Sequence, residues 1–235
     1  MIDAKTDKPM RTFFKHLILV AAIAAFAQMA NATPTLIVWA GGSPLTITDG
    51  GVGDVNPATG QITWIGSIGD WTFNVDTGTT YPIIGTLAFP QLDLNVNATS
   101  DGAGGTIWIY FSADGFGPSS GTSQLSVGGT TAGTVSAGGW GGTSNSLFDM
   151  TASNLLANLG PLGGPAFSGD VLGGNVTNGG PYSLTEVIEI THSGAGMTTV
   201  DAALSVPDGG TTAMLVGFGL LGLSAISRRR KVAKV

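Results

Sequence analysis

The sequence predicts an all-β protein: an antiparallel β-sandwich or jelly-roll-like exported domain, with a signal peptide before it and a transmembrane helix after it. Three observations carry that expectation. Short apolar blocks with a two-residue period recur between glycine-rich turns, every lysine and arginine lies near a chain end, and an uncharged apolar run stands close to each end. Glycine supplies 38 of the 235 residues, and all but five of those lie between Thr33 and Ser205. Disordered low-complexity chains are poor in apolar residues. Here the hydrophobic fraction is 43%, enough to build a core.

The alternation places individual strands. Trp71, Phe73 and Val75 share one face, and Thr72, Asn74 and Asp76 the other. Leu92, Leu94, Val96 and Ala98 oppose Gln91, Asp93, Asn95 and Asn97, while Val200, Ala202, Leu204 and Val206 oppose Thr199, Asp201, Ala203 and Ser205. A single apolar face at period two marks an antiparallel sheet against a core. Thr106–Ala113 is apolar on both faces, with Ile107, Ile109 and Phe111 against Trp108 and Tyr110, and reads as a central strand. Tyr182–His192 runs into Ser193-Gly194-Ala195-Gly196, which suggests a hairpin pairing Leu184–His192 with Thr198–Leu204. Glu186 falls among Leu184, Ile188 and Ile190, so a bulge is expected there. Gly41–Gly60 reads as a turn-rich connection containing a short strand at Leu45–Ile47. Ser119–Gly142, almost all Gly, Ser and Thr, reads as a loose hairpin or an edge excursion. Thr151–Gly160, with Pro161 beyond it, is the one helix candidate.

The chain ends give the domain plan. Lys5, Lys8, Arg11 and Lys15 precede the apolar run Leu17–Ala27, and Ala30-Asn31-Ala32 stands before Thr33. A basic segment, a short apolar segment and an A-x-A site make residues 1–32 a Sec signal peptide, cut between Ala32 and Thr33 by signal peptidase. Met10 is a second candidate start. Residues 33–205 form the exported body. Residues 206–235 read in three parts: Val206-Pro207-Asp208-Gly209-Gly210, the uncharged run Thr211–Ser227, and Arg228, Arg229, Arg230 and Lys231 with Lys234 behind them. As a helix the run rises about 26 Å, slightly less than a hydrocarbon core of about 30 Å. Snorkelling arginines make up the difference. The basic end stays in the cytoplasm, so the body lies on the other side of the membrane.

These three parts, in this order, closely resemble the C-terminal sorting signal of PEP-CTERM proteins, in the variant whose motif begins Val-Pro-Asp. Gly209-Gly210-Thr211-Thr212-Ala213 fits the small residues that come after the motif, and Gly217, Gly219 and Gly222 fit its glycine-dotted helix. Pro-Glu-Pro itself is absent. The resemblance covers about thirty residues and implies an inner-membrane precursor cut at or near Val206–Gly210 by an exosortase-type membrane enzyme. It implies a mature form at the cell surface or outside the cell, structural or adhesive within biofilm or exopolysaccharide. The readings to weigh against it are a carbohydrate-binding module and a secreted hydrolase.

Charge and side-chain chemistry narrow the rest. Of fifteen acidic residues, Asp3, Asp7 and Asp208 fall outside the body, leaving twelve with no lysine or arginine among them. The body's formal charge is therefore −12, and such a surface repels nucleic acid. There is no cysteine, so an oxidising compartment adds no crosslinks. His192, the body's one histidine, is expected at the surface, and no catalytic residue, cofactor site or metal site is assigned. Calcium is the one inorganic ligand worth weighing, because Asp49, Asp54, Asp70, Asp76, Asp101 and Asp114 sit near glycines in expected turns. Of Trp39, Trp64, Trp71, Trp108 and Trp140, the last is flanked by glycine pairs and is expected to be exposed. The export reading predicts Thr33 as the mature N-terminus and an uncleaved precursor for Ala32→Arg. Mass spectrometry of surface material checks both, and an intact Met1 or Met10 terminus there contradicts the assignment.

Overall fold

Two-residue alternation becomes twelve antiparallel strands in the structure, a computed structural model that describes residues 33–207. The strands are β1 (Thr35–Trp39), β2 (Leu45–Thr48), β3 (Gln61–Ile68), β4 (Trp71–Thr79), β5 (Gln91–Ser100) and β6 (Gly105–Phe116). After them come β7 (Ser119–Thr131), β8 (Thr134–Gly142), β9 (Leu155–Gly163), β10 (Phe167–Asn178), β11 (Tyr182–His192) and β12 (Gly196–Ser205). Sheet A has the order β2-β1-β6-β11-β8-β9, and sheet B the order β10-β7-β12-β5-β4-β3. Strands β5 to β12 pair as a nest, β5 with β12, β6 with β11, β7 with β10 and β8 with β9. From β5 to β8 the chain changes sheets at every step, which is the winding of a jelly roll. The β1–β2 and β3–β4 hairpins extend the two sheets at β6 and β5. The expected signal peptide and spanning run lie outside the described residues. Among those described, no helix is long and apolar enough to cross a membrane.

The core lies between the sheets. Leu92, Leu94, Val96 and Ala98 of β5, and Val200, Ala202 and Leu204 of β12, face Ile107, Ile109 and Phe111 of β6 and Leu184, Ile188 and Ile190 of β11, all essentially buried. Burying a side chain such as Phe111 contributes on the order of 2 kcal/mol. Two glycines set how closely the layers approach. A Cβ on Gly78 of β4 would stand 2.5 Å from the Phe111 ring, and one on Gly139 of β8 would stand 2.6 Å from Leu204. The glycines thus leave room for a large residue of the opposite sheet.

Several expectations are corrected. Strands β11 and β12 do not form a hairpin: Ser193–Ala195 carries the chain from sheet A to sheet B, because each strand buries a face in a different layer. Glu186 sits in regular register opposite Phe111 and Gly139, and the irregularity lies instead where Tyr182 and Leu184 pair with Phe116 and Ala113, with the extra residue on β6. The Glu186 side chain points into the core. In β4 the register shifts between Phe73 and Val75, which turns Asp76 inward rather than onto the face expected for it. Ser119–Gly142 is neither loose nor an edge. It supplies β7, between β10 and β12, and β8, between β11 and β9. Of the helix candidate only one 3-10 turn exists, at Ala152–Asn154, and Leu155 onward is strand β9.

The interlock gives a stability prediction. Gly139→Ala and Gly78→Ala should each lower unfolding stability by about 1–3 kcal/mol through overpacking. Gly180→Ala, with nothing within 4 Å of the new methyl, should change it by less than about 0.5 kcal/mol. Urea melts of the three variants make the comparison, and equal midpoints would refute the interlock.

Candidate functional site

The outward face of sheet A collects aromatic residues by register. Trp39 of β1 lies opposite Trp108 of β6, Trp108 opposite Glu189 of β11, and Glu189 opposite Ser136 of β8. One pair further along, Tyr110, Val187, Gly138 and Asn158 continue the row across β6, β11, β8 and β9. All of these except Trp39, together with Trp140, Ala137 and Met150, line a trough of about 350 Å³. Its ends are fixed by packing. Trp39 and Trp108 stack with ring centres 4.8 Å apart at 31°, while the Trp39 indole N–H donates to the Gly42 carbonyl at 2.7 Å. The six-membered ring of Trp140 covers Gly138, where a Cβ would come within 2.7 Å of it. Burial, and then the charge of Glu189, raise the Tyr110 phenol above its ordinary value. Trp140 is partly exposed, as its glycine flanks suggested, and Trp71 is in the core. Its companions in the trough escaped the sequence reading because they come from four strands. The outward pair Trp108 and Tyr110 was the one local signal.

His192 is buried rather than at the surface, 3% exposed, and packs against Trp71 with ring centres 4.7 Å apart. Its hydrogen bonds form one directed chain. Ser100 Oγ donates to the Gly194 carbonyl at 2.9 Å, so it accepts from His192 Nδ1 at 2.7 Å. On the other side Nε2 of the neutral ring accepts from Thr198 Oγ1 at 2.7 Å, so Thr198 accepts from Thr131 Oγ1 at 2.6 Å, and Thr131 accepts in turn from the Gly133 N–H. Every hydroxyl is spent, and the imidazole is neutral with its proton on Nδ1. Burial also holds its pKa below the ordinary value. A nucleophilic serine needs a histidine nitrogen free to take its proton and a carboxylate on the other nitrogen. Here a threonine occupies that second position. This Ser–His pair ties β5 to β11, and through Thr198 to β12.

Two carboxyls are fully buried. Glu186 and Asp76 have neither oxygen in a formed hydrogen bond among the described residues. Burial pushes Glu186 well up, aided by the charges of Asp93 and Asp201 on sheet B. Burial does the same to Asp76, opposed by the approach of the Asn97 backbone, which stops short of a well-formed bond. An unpaired charge in such a site is costly, so both stay protonated. Asp93 is pushed up to about 6 by partial burial and then by Asp201.

Of the aspartates considered for calcium, Asp76 lies in the core and the others with side-chain hydrogen bonds accept backbone N–H groups. Asp54 accepts the backbone N–H groups of Gly50, Asn56 and Thr63, Asp49 that of Gly60 at 2.8 Å, and Asp114 that of Thr33 at 3.4 Å. Among the described residues no three His, Asp or Glu side chains come together to hold a metal ion. Of the residues assigned to export and sorting, Ala30, Ala32, Asp208, Gly209, Gly210, Arg228, Arg229, Arg230 and Lys231 lie outside the described residues. Thr33 is exposed at the start of the body. Val206 is not part of an extended, accessible motif: it is 1% exposed, and its N–H donates to the Pro90 carbonyl at 3.1 Å. Pro207 is the first exposed residue of the motif.

These features define an all-β, antiparallel two-sheet domain whose last core residue opens its C-terminal motif. Residues 205–230 match the VPDSG-CTERM motif, so the tail is a sorting signal of the PEP-CTERM kind. Such a motif implies a secreted protein made as a membrane-anchored precursor and processed by an exosortase-type membrane enzyme. No curated protein matches the chain in sequence. Among solved structures, the Escherichia coli ribosomal oxygenase YcfD in complex with cobalt and 2-oxoglutarate is similar at 13% identity and a TM-score of 0.23, over 87% of this chain and 48% of that one. The chain thus spans about half the length of the oxygenase. TmCBM61 in complex with β-1,4-galactotriose is similar at 11% identity and a TM-score of 0.23, over 60% of this chain and 92% of that one. Likeness at this level describes those proteins and assigns nothing to this one.

The buried acids make stability depend on pH. Their folded pKa values are raised, so their contribution is full below the ordinary carboxyl range and is lost as pH rises through it toward the folded values. Each group has a limiting slope of about 1.4 kcal/mol per pH unit in that window. The melting temperature should therefore rise as pH is lowered from 8 to 5, with Asp93 contributing only up to about pH 6. Glu186→Gln, which keeps the shape without the acid, should flatten the dependence and raise stability at pH 8. An unchanged slope would refute this account of Glu186.

Proposed function

We propose that the chain is an exported surface or extracellular-matrix protein, structural or adhesive in biofilm or exopolysaccharide. In this reading it enters the Sec translocon by residues 1–32 and is held in the inner membrane by residues 211–227. An exosortase-type enzyme then processes it through Val206-Pro207-Asp208-Gly209-Gly210, and Arg228–Lys231 retains the basic end in the cytoplasm. The observation that carries it is the sorting motif at residues 205–230. The buried Val206 refines it: the enzyme meets the motif from Pro207 onward, directly against the folded body. The protein is substrate rather than enzyme in this reading and is assigned no cofactor. The hydroxyls and nitrogens of the Ser100–His192 pair, all committed to one hydrogen-bond chain, count against the hydrolase alternative. A carbohydrate-binding role is favoured by the aromatic trough on sheet A and is compatible with life in a polysaccharide matrix.

The test separates a sorting signal from a plain anchor. Pro207→Ala with Asp208→Ala leaves the apolar run and the basic cluster intact, so insertion should proceed. This variant should accumulate in the inner membrane at precursor mass while the wild type loses its tail and appears outside. Equal surface display of the two would reduce the tail to an anchor.

A further inference from the structure

We propose that the trough on sheet A binds a neutral glycan, stacked on Trp140 and Trp108 and hydrogen-bonded by Glu189 and Asn158. The assignment deepens the carbohydrate-binding reading and rests on it. A pyranose ring is apolar on the faces that carry its C–H bonds and polar around its hydroxyl edge. A matching site offers flat aromatic surface with a few polar groups beside it. The trough is built that way. Gly138 lacks the Cβ that would lift the Trp140 ring off the sheet, so the ring lies along the floor. At the other end Trp39 covers one face of Trp108 and fixes its position. Neither ring must be ordered when a ligand arrives, which lowers the cost of binding. Val187 and Tyr110 continue the floor, and Glu189, Ser136 and Asn158 stand where a hydroxyl edge would lie. Among the described residues, neither the Glu189 carboxylate nor the Trp140 indole N–H has a hydrogen-bond partner within the protein.

Charge selects among glycans. Between Thr33 and Ser205 there is no lysine or arginine, and the trough contains a carboxylate. A uronate or sulfated sugar would be desolvated against like charge with no cation to meet it. A quaternary ammonium group is the other ligand for aromatic surfaces beside an acid, but it calls for rings converging around one centre. Here one ring lies along the floor and another is stacked against a third, so they border a groove rather than enclose a cation.

The experiment uses the full chain in a polyoxyethylene detergent, which carries neither sugar nor ammonium. Titration calorimetry would use a panel of neutral oligosaccharides, their uronate-containing counterparts, and tetramethylammonium. Neutral oligosaccharides should bind and uronates should not. Trp140→Ala should weaken binding about tenfold, the loss of one stacking face, with an unchanged melting temperature because the ring lies outside the core. Trp140→Phe should restore most of the affinity. Gly138→Ala, which touches no polar group of the trough, should weaken binding by displacing the ring. Neutral-glycan binding that survives Trp140→Ala would remove the trough while leaving the carbohydrate reading in place. Binding of no saccharide would remove both, and binding of tetramethylammonium alone would reassign the trough as a cation site.

Discussion

The rest of the structure depends on how closely two glycine-notched sheets approach each other. The body contains no cysteine and no lysine or arginine, so disulfides and lysine or arginine ion pairs contribute nothing to it. What remains is backbone pairing and face-to-face packing. That packing is specific because Gly78 faces Phe111 and Gly139 faces Leu204, one notch in each layer. The glycine content that looks like low complexity therefore has a structural use. It lets large side chains cross the midplane, and in Gly138 it lets an indole lie flat on the outer surface.

The core holds its acids on the same terms. Glu186 and Asp76 are enclosed by apolar residues with no basic side chain to meet them, so each is accommodated as a neutral group. The outer faces keep the ionised carboxylates, and on sheet B the neighbours Asp93 and Asp201 still repel each other.

Strands β5 and β12 were legible in the sequence because each keeps its alternation from end to end, as at Leu92–Ala98 and Val200–Leu204, and β6 was legible over residues 107–111, before its own alternation breaks. Strand β4 was legible only to Phe73, since the register shift beyond it reverses which face is buried, and no residue type announces such a shift. Strands β7 and β8 carry few apolar side chains, and their inward positions can be recognised only once Leu204 is known to fill the space above Gly139. The Ser193–Ala195 connection misled because a three-residue link can join neighbours in a sheet or cross between sheets. His192 escaped for a related reason: its partners Ser100 and Thr198, with Thr131 behind Thr198, are hydroxyls from three strands, brought together by the winding alone. Of the candidate site, Trp140 was legible through its glycine flanks. Glu189 and Asn158 belong to it through strand pairing, which alternation does not reveal.

The buried Val206 has a mechanical consequence. Strand β12, which leads into the tail, lies inside sheet B and is paired over ten residues with β5 and over eight with β7. A pull on the tail directed along the strand loads both ladders in shear, so many hydrogen bonds share the force instead of breaking one after another. An edge strand would peel. The chain thus leaves its folded body from an interior strand, a point of attachment that resists tension along the tail.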